Sequence, residues 1–125
     1  MKRTFLAALA AGTALLTTAP AHADYASNWG ITIQSCVVNQ GGNGLTNGIN
    51  VVYYNTHSMP ATEVDFRIGY RGKRHILIDT GSFTQGAQIN HNLTNDLVGF
   101  PWSGPEPNHC TVQRVVLANG TVLGP

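Results

Sequence analysis

Apolar and polar side chains alternate most strictly between residues 63 and 71. Val64, Phe66, Ile68 and Tyr70 fall on one side; Glu63, Asp65, Arg67, Gly69 and Arg71 fall on the other. A period of two is the signature of a half-buried strand. A slip of one residue would turn all four apolar groups to water, so the register is strongly specified. Gly72-Lys73 offers a two-residue turn with glycine where positive φ is needed, and 74–79 (RHILID) is the returning strand.

Weaker patterns extend the series. A first strand is expected at 29–36, with Trp29, Ile31 and Ile33 on one face, and a second at 49–55, apolar on both sides and therefore central. Further strands are expected at 86–93, with Ala87, Ile89 and His91 on one face, and at 110–118. Asn119-Gly120 then marks a tight turn into a last strand at 121–123. Residues 40–48 are glycine- and asparagine-rich and are expected to be loop. Residues 99–109 hold three prolines and two glycines and are expected to stay out of any sheet. No helix-period stretch of useful length follows residue 24. About seven short strands with turn signals between them predict an all-β fold, a single antiparallel immunoglobulin-like β-sandwich.

The head of the chain changes the setting. Lys2 and Arg3 precede an apolar run at 5–16, which closes on Ala21-His22-Ala23. This is the pattern of a signal peptide of bacterial kind over 1–23, leaving one domain at 24–125. The expected location is therefore the periplasm or the medium. No cysteine follows the cleavage site to carry a lipid, and no later run approaches the roughly 20 apolar residues of a spanning helix, so no membrane anchor is expected. Without Lys2 and Arg3, five positive side chains stand against six negative ones. A domain so near neutrality lacks the electrostatic footprint of a nucleic-acid binder.

Cys36 and Cys110 are the only cysteines. They lack the C-x-x-C spacing of a redox pair, and export would place them where thiols oxidise. One structural disulfide is expected. Closing a loop of about 74 residues, it is worth about 4 kcal/mol by the chain-entropy argument.

Four segments carry a family resemblance: 51–55 (VVYYN), 60–70 (PATEVDFRIGY), 83–89 (FTQGAQI) and 110–121 (CTVQRVVLANGT). In this layout the chain resembles small bacterial secreted immunoglobulin-like domains of the FxLYD kind. The resemblance implies a β-sandwich that serves as an accessory or binding module, with no shared chemistry and no cofactor.

One motif resembles an active site. Residues 76–82 (ILIDTGS) are similar to the catalytic loop of aspartic proteases, in which Asp79 would be the acid/base group. Two such aspartates must share a proton, so the chain would have to dimerise. Too little chain follows for a flap and a second half-barrel, and the downstream Leu97-Val98-Gly99 comes too early. Asp-Thr-Gly is also what an ordinary turn uses, and the turn is the preferred reading.

Two binding surfaces are candidates. Arg71, Lys73 and Arg74, beside His75, concentrate positive charge on a hairpin tip that would suit an anionic partner or merely keep a sheet edge soluble. Phe100 and Trp102 lie in the constrained 99–109 loop, where aromatics either contact a ligand or cap the sandwich. The histidines show no zinc spacing, and His75 and Asp79 are too far apart on one strand to chelate unaided. The expected function is a non-enzymatic module that binds a protein or cell-surface ligand. The alternatives are an inhibitor or immunity-type protein wedging the 99–109 loop into an envelope hydrolase, and a dimeric aspartic peptidase.

Overall fold

The computed structural model describes residues 24–26, 29–70, 72–94, 99–102, 104 and 106–125. The leader segment, Arg71, Leu97 and Val98 lie outside the described residues. Among the described residues eight strands follow in order: β1 (Asp24–Ala26), β2 (Ile31–Gln40), β3 (Thr46–Asn55), β4 (Ala61–Tyr70), β5 (Lys73–Phe83), β6 (Gln88–Leu93), β7 (His109–Leu117) and β8 (Val122–Leu123). They make two sheets, one ordered β2-β3-β6 and one ordered β1-β7-β4-β5, with β8 also on β7. Seven strands pair antiparallel. The three-residue β1 joins β7 in parallel.

The chain changes sheet after β1, after β3, after β5 and after β6. With β2, β3 and β6 in the places of strands A, B and E, and β4, β5, β7 and β8 in those of C, C′, F and G, this is an immunoglobulin-type connectivity. The sheets meet over one core. Val64, Phe66 and Ile68 enter it from β4, Ile49, Val51 and Tyr53 from β3, and Ile31, Ile33 and Cys36 from β2. The Tyr53 ring stands edge-on to Phe66 at 5.0 Å and to Phe83 at 5.7 Å. The Cys36–Cys110 disulfide forms as expected, joining β2 of one sheet to β7 of the other.

Several local expectations are corrected. Tyr70 pairs with Lys73, so the hairpin loop is 71–72, one residue earlier than expected, with Gly72 at φ 74°. The expected loop at 40–48 is confined to 41–45, because β2 runs to Gln40 and β3 begins at Thr46. A Cβ at Gly48 would come within 2.7 Å of the Leu93 carbonyl, so a glycine that looks like loop is what lets β3 lie close to β6. Trp29 does not sit on a strand face. It occupies a turn at φ 56° and the residue is 42% exposed.

The 99–109 segment does reach a sheet edge. Pro101 bridges Leu45, Gly99 N donates to Thr46 O, Thr46 N to Phe100 O and Trp102 N to Gly44 O. Proline lacks one donor, but its neighbours supply the bonds an edge needs.

Candidate functional site

β4 sends Glu63, Asp65, Arg67 and Gly69 to the outer face of the larger sheet, as the alternation requires. Register does the rest. Gly69 lies between Arg74 of β5 and His109 of β7, and Arg67 between Ile76 and Thr111. A notch of about 520 Å³ opens beside Gly69, walled by Arg67, Lys73, Arg74, Asn108 and His109. A Cβ at Gly69 would meet the His109 ring at 2.9 Å. A second hollow of about 430 Å³ shares Arg67 and Arg74 and continues to Trp29, Thr111, Gln113 and Pro125. Together they form one open trough.

Arg67 and Arg74 are diagonal neighbours on adjacent strands, within reach of one another as long side chains, so their like charges repel. Neither they nor Lys73 form an ion pair with another described residue. Two guanidinium forks beside a backbone notch suit a carboxylate, sulfate or phosphate, which would relieve that repulsion.

The acidic end of the same face is self-contained. Arg114 Nη1 lies 3.1 Å from Glu63 Oε2 and 3.6 Å from Asp65 Oδ2. Asp65 is buried. Burial, and then the Glu63 carboxylate, push its carboxyl up to about 6, with Arg114 opposing. A folded pKa above the unfolded one gives stability that is fully present below about pH 4 and lost as pH rises through about 6. Urea unfolding between pH 4 and 7 is therefore expected to show a falling component that Asp65→Asn removes. An identical slope in the variant would contradict this origin.

Asp79 is a second polar centre, on the inner side. It is 5% exposed and sits within β5, which runs on to Phe83. The expected turn at Asp79-Thr80-Gly81 is thus corrected to strand, and Gly81 has no positive φ. β5 continues because β4 extends back to Ala61, which pairs with Phe83 past a bulge. Tyr53 Oη donates to Asp79 Oδ2 at 2.7 Å. His91 Nδ1 donates to Oδ2 at 2.7 Å and to Oδ1 at 2.9 Å. A carboxylate so enclosed is satisfied from within its own domain. The geometry gives the protease reading no catalytic loop.

The structure separates the sequence candidates. Lys73 and Arg74 line the trough, while the side chain of Arg71 lies outside the described residues. Phe100 is 43% exposed and rests on His75 at 5.3 Å, on the other side of β5 from Arg74. Trp102 is 4% exposed and belongs to the core, so it caps the sandwich and offers no contact surface. Sequence reasoning missed Arg67, Gly69, Asn108, His109 and Trp29. The available signal was Gly69 itself, a gap in an otherwise charged outward row. Compared with protein-family models, curated proteins and solved structures, the chain matches none.

Proposed function

We propose that the protein is an exported, non-enzymatic binding module that holds an anionic group of a protein or cell-surface ligand in the trough around Gly69. One observation carries this reading. Arg67 and Arg74 are held as diagonal neighbours beside the notch at Gly69, with no acidic partner among the described residues. Such an arrangement favours an anion between the two guanidinium groups. The leader-like head, the resemblance to secreted FxLYD-kind domains and the near-neutral charge agree with an export product whose positive field is local. The inhibitor reading is less favoured, because backbone bonds to 44–46 and the burial of Trp102 tie down the first part of the wedge loop.

Titration with inositol hexakisphosphate by calorimetry tests the trough. Binding is expected, weaker at high salt, and reduced at least about tenfold in Arg67→Gln/Arg74→Gln, since each charge-assisted bond is worth about 1.5–3 kcal/mol. Absence of binding, or binding indifferent to both arginines in a variant that still unfolds cooperatively, would overturn it.

A further inference from the structure

The turn at the far end of the trough is braced at the backbone of one aromatic residue. Trp29 takes φ 56°, a left-handed conformation that is unfavourable for a bulky residue. Strain of this kind persists only where the surroundings enforce it. Here His57 Nε2 donates to Trp29 O at 2.6 Å, and Thr56 N and Oγ1 donate to Gly30 O at 2.8 and 2.7 Å. Gly30 is at φ 76°, and a Cβ there would fall 2.3 Å from the His57 ring. The indole is nevertheless exposed and lines the trough beside Arg67 and Arg74.

From this we infer that the trough takes an acidic saccharide, a chain of uronate or sulfated sugars. A pyranose ring would lie against Trp29 and its anionic group between Arg67 and Arg74. The inference rests on the anion-binding reading above and names its ligand class. A braced backbone leaves only the side-chain torsions to be ordered on contact, and the indole face suits a flat, weakly apolar sugar face. Hydroxyl groups need hydrogen-bonding partners spread along the ligand. Asn108, just ahead of β7, and Thr111 and Gln113 within it provide them, over a run of about 17 Å at strand rise. A free phosphate would use only the notch. A nucleotide would use one aromatic and one anion site and leave much of that row unfilled.

The test compares four probes by calorimetry on the folded domain: hexagalacturonate, a heparin hexasaccharide, neutral maltohexaose and AMP, with inositol hexakisphosphate as the reference anion. At least one acidic hexasaccharide is expected to bind and to perturb tryptophan emission, with maltohexaose and AMP at least about tenfold weaker. Trp29→Ala should weaken the saccharide about tenfold or more, the loss typical of a central aromatic contact. It should leave the reference anion within about twofold. If the reference anion binds through Arg67 and Arg74 while both acidic saccharides fail, or bind regardless of Trp29, the saccharide inference falls and the anion site stands. The inference also falls if AMP binds best. If neither anion nor saccharide binds, both readings fall together.

Discussion

Removing the Cys36–Cys110 bridge, as the Cys36→Ala/Cys110→Ala pair, will lower the free energy of unfolding by about 4 kcal/mol. The loop closed by the bridge spans 74 positions, and the entropy it denies the unfolded chain grows with that length. Both cysteines are fully buried, so the replacement adds some lost packing to the lost constraint. Domains of this size hold only about 5–15 kcal/mol in total. The midpoint should therefore drop by roughly 15–30 °C. Calorimetry of the oxidised protein against the double variant measures it, and a loss under about 1 kcal/mol would show that the unfolded chain was already constrained in another way.

Asp79→Ala should cost about 3 kcal/mol. The carboxylate is the partner of the buried Tyr53 hydroxyl and of His91 Nδ1, and its loss leaves a hydroxyl orphaned beside a small cavity. Tyr53→Phe should cost less, about 1–2 kcal/mol, since it removes the donor along with the need for it. In the double variant the two losses should not add, because the orphan created by the first change is gone. Equilibrium urea unfolding of the four proteins gives the coupling, and full additivity would refute the shared bond.

The same pair sets an alkaline limit. Burial first, and then Asp79, raise the Tyr53 phenol far above its ordinary value near 10. Its contribution is complete below about pH 10 and is lost above it.

How legible all this was in the sequence depended on whether the cause was local. The alternation at 63–71 fixed which side of β4 faces the core, and Asn119-Gly120 marked the turn into the last strand. Asp79 misled because its immediate neighbours, Thr80 and Gly81, are turn formers. Its actual partners are 26 and 12 residues away on the other sheet. A cue was present nonetheless. Asp79 shares parity with Leu77, His91 with Ile89 and Leu93, and Tyr53 with Val51, so three polar groups fall at inward positions. An inward polar residue must find another.

The trough was half visible. Lys73 and Arg74 stand out as a cluster in the sequence, but Arg67 joins them only through the β4–β5 register, and His109 only through β7. Trp29 was placed on a strand because its apolar neighbours are two and four residues on. Nothing in the sequence announces a left-handed tryptophan, since the turn that imposes it is braced from His57 and Thr56, far along the chain.

The bridge between β2 and β7 also decides how the domain responds to pulling. Tension applied at residues 24 and 125 can draw out only the 24–36 and 110–125 arms, about 90–100 Å of contour at full extension. Everything between the two sulfurs is shielded from the load by a covalent link. The hairpin of β4 and β5, with Arg67 and Arg74 upon it, lies wholly inside that shielded loop. Under strain that strips away its outer strands, the two arginines stay on one covalently closed segment.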